Sequence, residues 1–99
     1  MTDGASSEDA VFRALADATR RLIIDDLQVR DGQSLFEICV RLGQIYDTHM
    51  SRQAITKHLK VLEEAGIVSV ERQGRTRMHF LNVRPIKKLG RTWLKKYLK

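Results

Sequence analysis

Residues 51–66, SRQAITKHLKVLEEAG, constrain the fold of this chain more than any other stretch. Ser51 is a good helix N-cap, because its hydroxyl accepts from the free N–H groups of the first turn. Ile55, Leu59 and Leu62 then recur at helical spacing and form an inward stripe, flanked by Ala54, His58 and Val61. Met50 and Ile55 take the two places of a hydrophobic staple, while Ala54 stands where a complete capping box has Glu. Gly66, just after Ala65, is a natural helix stop. Beyond Gly66 the period changes at once. Ile67 to Glu71 is rich in β-branched residues and reads as a strand, Arg72-Gln73-Gly74-Arg75 as a turn, and Thr76 to Leu81 as the return strand. A capped helix therefore runs directly into a basic hairpin.

The flanking sequence is helical. Val11, Phe12, Leu15 and Ala16 give one apolar face to a first helix over about Ser7 to Ala16. Asp17 caps a second, through about Val29, with Ala18, Leu22, Ile23 and Leu27 inward and Asp31-Gly32 as its turn. Ser34-Leu35-Phe36-Glu37 has the capping-box form, so a third helix is expected after it, with Leu35, Ile38, Cys39 and Leu42 inward and Gly43 as its stop. Residues 44–50 read as a loop. Pro85 suits the first turn of a fifth helix, in which Ile86, Leu89, Trp93 and Tyr97 make one continuous stripe. Gly90 beside that stripe allows a close helix approach. The expected fold is mainly α with a β-hairpin, in the order α-α-α-α-β-β-α, which is the outline of a winged helix-turn-helix. At 99 residues it is one domain, residues 1–99, with residues 1–7 as a disordered tail.

Charge divides this chain in two. Residues 1–50 hold 5 arginines and 9 acids, whereas residues 51–99 hold 13 lysines and arginines and 3 acids. No acid occurs after Glu71. Clustered positive charge is the electrostatic footprint of a polyanion partner, and nucleic acid is the first to consider. No apolar run approaches the roughly 20 residues that span a membrane, and no signal-peptide pattern opens the chain. A single cysteine, Cys39, forms no intrachain disulfide and fits a reducing cytosol, so a cytoplasmic location is expected. No Ser/His/Asp or Cys/His constellation and no phosphate-cradling glycine motif supports catalysis; the chain does not read as an enzyme.

In a helix-turn-helix the second helix enters the major groove and its first residues meet base edges. Here that helix starts at Ser51, and its outward residues are Arg52, Gln53, Thr56, Lys57 and Lys60. Gln pairs with adenine, Arg or Lys with guanine, and Thr touches a thymine methyl. Lys60, one turn on, is placed for phosphate. Arg72, Arg75 and Arg77 surround the hairpin tip and are placed for phosphates or a narrow minor groove. The first and fifth helices carry more apolar surface than one thin core needs. Phe12, Ile86, Leu89, Trp93, Leu94 and Tyr97 are therefore candidates for a two-fold interface between copies of this chain.

These residues carry a family resemblance. The S-x-x-x-I/V-S/T-x-H-L-x-x-L-x-x-A-G run from Ser51 to Gly66, with the hairpin after it, resembles the recognition helix and wing of the ArsR-type (arsenic repressor-like) bacterial transcription regulators. DATRRLIIDDL, residues 17–27, is similar to their second helix, and RPIKKLGRTWLKKY to their last. The resemblance implies a homodimeric repressor that binds an imperfect palindrome in double-stranded DNA, dimerises through its first and last helices and reads DNA with residues 51–60. It also implies a departure. Metal-sensing members carry Cys-x-Cys in the third helix, but here the run is EICVRL, residues 37–42, with Arg41 in place of the second thiolate. Their last helix supplies Asp, His and Glu, and from residue 80 onward this chain has none. The chain is thus expected to be metal-independent and without a cofactor; whether a small-molecule effector exists is left open by the sequence.

Among the remaining reactive groups, Cys39 reads as a buried, inert thiol and His58 as a satisfied, partly buried histidine. Asp47 and His49 with His79 make a weak candidate for a new metal site, since three or four ligands must converge. Two other readings stay open at this point. One is a winged helix that meets an acidic protein; the other is a repressor with a non-standard metal or thiol sensor.

Overall fold

The computed structural model describes residues 3–98. Five helices and one hairpin run in order: α1 (Asp3–Leu15), α2 (Ala18–Val29), α3 (Leu35–Tyr46), α4 (Arg52–Glu64), β1 (Val68–Gln73), β2 (Thr76–Leu81) and α5 (Arg84–Arg91). A 3₁₀ turn over Trp93–Tyr97 closes the chain. Helix α1 begins four residues ahead of Ser7, and Met1 and Thr2 of the expected tail lie outside the described residues.

Capping chemistry sets the helix starts. Asp17 accepts the Arg20 N–H at 3.0 Å. Ser34 and Glu37 complete a reciprocal capping box, each reaching the other's backbone N–H at 3.1 Å. Ser51 accepts from Ala54 N–H at 3.1 Å. Helix α4 ends in a Schellman motif: Gly66 takes φ 77°, its N–H bonds the Glu63 carbonyl, and the Ile67 N–H bonds that of Leu62 at 3.0 Å. Arginines finish α1. Arg20 donates to the carbonyls of Ala14 and Arg13, both at 2.9 Å, and Arg21 to that of Leu15 at 2.6 Å. These are the last, unpaired carbonyls of a helix, where a cation also meets the negative end of the macrodipole.

The core is built where the apolar stripes meet. Ile23 and Leu27 of α2, Ile38 and Leu42 of α3, and Ile55, Leu59 and Leu62 of α4 are all buried, together with Val11 and Ala14 of α1. Ala16 and Ala18 are exposed instead. The inward place beside Ile23 and Leu27 is taken by a carboxylate, Asp26, which is 2% exposed.

The strands pair antiparallel, from Val68 opposite Leu81 to Gln73 opposite Thr76. The first strand runs two residues further toward the turn than expected, to Gln73, while the second spans Thr76–Leu81 as expected, so the turn shrinks to Gly74-Arg75. Gly74 has φ 65°, the positive value that a two-residue type II′ turn requires at its first central position. Gln33 adds a single antiparallel bridge to His79, with N–H···O bonds of 3.0 and 2.7 Å, and so ties the start of α3 to the base of the hairpin. Gly32, just before it, has φ 71°, and a Cβ there would stand 2.8 Å from the Phe80 ring. Gly32→Ala is expected to destabilise the fold by about 1–3 kcal/mol, through the left-handed backbone and the overlap together. A denaturant melt with an unchanged midpoint would contradict this.

Two helix ends differ from expectation. Helix α3 passes through Gly43 to Tyr46 and ends with Asp47 in the left-handed region, φ 53°. The Tyr46 hydroxyl donates to Asp26 at 2.8 Å, which holds the extra turn against the roughly 1 kcal/mol that glycine costs in a helix interior. The expected long last helix is broken at Thr92. Its hydroxyl bonds the Lys88 carbonyl at 2.9 Å and the Glu8 carboxylate at 2.7 Å, offering the chain a local alternative to helix. Beyond the break the chain folds back, and Leu98, not another helix, lies near Gly90.

Candidate nucleic-acid interface

With Ile55, Leu59 and Leu62 locked inward, helical geometry turns Arg52, Gln53, Thr56, Lys57 and Lys60 to solvent, and all five are exposed. Ser51 is exposed too, with its hydroxyl engaged in the helix cap. Arg72, Arg75 and Arg77 are exposed on the hairpin. Among the described residues, only Arg77 of these cations has a side-chain partner, Glu63 at 3.3 Å. Arg72 and Arg77 stand directly opposite across the strands. Like charges in that position destabilise a free hairpin, and a polyanion laid against them relieves the repulsion.

Helix α4, the hairpin and the start of α3 enclose an open cleft of about 720 Å³. Arg52, Lys60, Arg75 and Arg77 line it, and its one acid is the Glu63 already paired with Arg77. The bridge between Gln33 and His79 ties the start of α3 to the hairpin, two of the elements that line the cleft.

Around Gln33, the residue bridged to His79, lies a polar cluster that the sequence does not announce. Asp26 accepts four hydrogen bonds, two on each oxygen: Arg41 Nε at 2.8 Å and Gln33 Nε2 at 2.9 Å on Oδ2, Arg41 Nη2 and the Tyr46 hydroxyl, both at 2.8 Å, on Oδ1. The Arg41 guanidinium foremost holds the carboxyl down to about 2, with Gln33 and Tyr46 adding to it against the opposing effect of burial. The same bonds push the ionisations of Arg41 and Tyr46 upward. Gln33 passes the connection on: its carbonyl also receives His79 Nδ1 at 2.9 Å. Its own Oε1 is buried without a partner among the described residues. The signal in the sequence was an acid at an inward position of the second helix, three residues after Ile23.

Arg41, which replaces a thiolate in the resemblance to metal sensors, is therefore fully engaged in the fold. Cys39 is half-buried, and burial pushes its thiol up, which favours the protonated form over the thiolate. His58 is half-buried against Arg20, 3.2 Å from Nδ1 to Nη1. His49 pairs with Asp47 at 3.0 Å on the exposed loop, while His79 is buried at the hairpin base. Among the described residues no three His, Cys, Asp or Glu side chains come together in a group fit to hold a metal ion. No helix among them is long and apolar enough to cross a membrane.

The residues expected at a two-fold interface divide. Leu89 is 2% exposed and belongs to the protomer's own core; the break at Thr92 separates it from the later residues, so it offers no surface to a partner. Ile86 and Leu94 are half-buried against that core. Phe12, Trp93 and Tyr97 remain exposed as one aromatic cluster. Phe12 and Trp93 meet edge to face at 5.9 Å, Trp93 and Tyr97 lie 5.1 Å apart, and the Lys96 ammonium stands over both of the latter rings.

Comparison with known proteins agrees with this architecture. A family model described as a helix-turn-helix domain matches residues 15–71. The chain is 47% identical over 88 residues to an uncharacterized HTH-type transcriptional regulator, YuzN, of Bacillus subtilis (strain 168), covering 89% of this chain and 96% of that protein. An ArsR-like transcriptional regulator from Rhodococcus sp. RHA1 superposes with a TM-score of 0.79 at 31% identity, over 97% of this chain and 83% of the other. The crystal structure of another ArsR family transcriptional regulator superposes with a TM-score of 0.77 at 25% identity, over 98% and 92%. The capped helix α4, the basic hairpin and these matches lead to one conclusion: the chain belongs to the helix-turn-helix transcriptional regulators of the ArsR type, which are DNA-binding proteins and not enzymes.

Proposed function

We propose that this protein is a homodimeric, cytosolic repressor that binds an imperfectly palindromic duplex without a resident metal or cofactor. The observation that carries the proposal is the outward face of α4, where Arg52, Gln53, Thr56, Lys57 and Lys60 are exposed and make no side-chain hydrogen bond among the described residues. Two such helices, about 34–36 Å apart in a dimer, enter successive major grooves on one side of the DNA. Gln53 and Arg52 read base edges, Thr56 and Lys57 read or flank them, and Lys60 with Arg72, Arg75 and Arg77 holds phosphates. Phe12, Trp93 and Tyr97 support the dimer, because exposed aromatics clustered on one surface are the composition of an interface core. Repression results if the bound dimer covers a promoter. Arg41, tied to Asp26, leaves the third helix without a second thiolate, which supports a signal other than a metal at that position.

A fluorescence titration against genomic fragments tests the reading, and equal affinity for fragments and random DNA would remove the claim of specificity. Sedimentation at high concentration tests the dimer; a monomer throughout would remove that. Within the interface, Gln53→Ala is expected to lose about 1–3 kcal/mol of discrimination at particular base pairs while the salt dependence of binding stays the same. A uniform loss on all sequences would reassign Gln53 from reading to anchoring.

A further inference from the structure

Phe36 is the one exposed apolar residue lining a cleft whose charged residues are four cations and Glu63. It is the second residue of α3 and is 67% exposed. The reciprocal bonds of Ser34 and Glu37 fix the turn from which its side chain springs, so the phenyl ring is presented from a rigid base. The ring lines the same cleft as Arg52, Thr56, Arg75 and Arg77. An exposed phenyl ring carries a hydration cost unless something covers it. The cations around it decide what that is, since they draw in a polyanion and disfavour a basic or purely apolar partner. A DNA strand suits both demands at once: its phosphates face the arginines, and its deoxyribose rings and thymine methyls present apolar surface between them.

We propose that Phe36 is a further DNA-contact residue, whose ring packs against the apolar sugar faces of the strand held by Arg52 and Arg75. This rests on the assignment of the cleft to DNA. The contact is apolar and releases no counterion, so it contributes to affinity without contributing to salt dependence. It also extends the DNA-facing surface from α4 and the hairpin to the start of α3, a third element.

The test uses the full chain and a duplex selected by the wild-type protein from a random library. Phe36→Ala is expected to weaken binding by roughly 5- to 30-fold, the range for losing much of a buried phenyl ring, with the slope of log K against log salt unchanged. Phe36→Tyr is expected to bind nearly as wild type. The melting midpoint of Phe36→Ala is expected to stay in place, because a ring this exposed adds little to the fold. p-Benzoylphenylalanine at position 36 is expected to cross-link to the DNA strand on irradiation. Undiminished affinity of Phe36→Ala, a changed salt slope, or no cross-link would each overturn the proposal. Arg75→Ala, measured alongside, separates it from the reading beneath: if that variant keeps both affinity and slope, the cleft does not face DNA at all.

Discussion

Asp26→Ala is expected to destabilise this fold by about 3–5 kcal/mol, the loss typical of breaking one side of a buried, hydrogen-bonded ion pair. Against a total of about 5–15 kcal/mol for a small domain, that unfolds a measurable fraction of the protein. The reason is the number of groups left behind. Arg41, Gln33 and the Tyr46 hydroxyl all donate to this carboxylate, and an alanine takes that acceptor from each of them, leaving Gln33 only its bond to the Arg30 carbonyl. The cluster is also the junction of α2, α3 and, through Gln33 and His79, the hairpin, so its loss loosens the frame of the cleft.

The pH dependence comes from the same bonds. The Asp26 carboxyl titrates at about 2 when folded, below its ordinary 3.8. The folded state therefore binds this proton less readily than the unfolded chain. The stabilisation is complete above about pH 5 and is lost as pH falls from there through the folded value of about 2, amounting to roughly 2 kcal/mol. Asp26→Asn, which keeps the shape but not the charge, is expected to lie below the wild type at pH 7 and to approach it at about pH 2.5. Urea denaturation of both at the two values decides the matter; a gap that stays constant with pH would show that the charge is not what the cluster needs.

The second large effect is on DNA. The triple substitution Arg72→Ala, Arg75→Ala and Arg77→Ala is expected to weaken binding on the order of 100-fold or more at low salt, on every sequence alike. Each arginine at a phosphate accounts for roughly 0.9 of the salt slope, so a dimer losing six such contacts flattens by about 5. Arg77, shared with Glu63, is the smallest contributor. Stability separates this from unfolding. Arg72 and Arg77 face one another across the strands, so removing them relieves a repulsion and leaves the free protein at least as stable. Weakened binding with the slope intact would mean that the hairpin does not touch the backbone.

The two cases differ in how much of them is legible along the chain. The hairpin arginines, the outward face of α4 and the caps at Asp17, Ser34 and Ser51 are written within a few residues of themselves. The Asp26 cluster is not. Its acid stands among apolar neighbours on α2, its arginine 15 residues away and its tyrosine 20 residues away, and either of those could have been an ordinary surface group. Phe36 lies within a recognisable capping box, but nothing local places it in one cleft with Arg52 and Arg75.

By itself the sequence determined the helices, the hairpin, the fold they compose and which face of α4 is free, because apolar period, caps and turn residues act through neighbours along the chain. Tertiary structure alone decided that α3 runs on to Tyr46, that Thr92 breaks the last helix on a bond to Glu8 from 84 residues away, that Leu89 turns inward while Trp93 stays out, and that His79 meets Gln33 across 46 residues. Those outcomes rest on hydrogen bonds and buried surface that exist only once distant segments meet, and they outweigh local preferences of about 1 kcal/mol, such as the one that would have stopped α3 at Gly43.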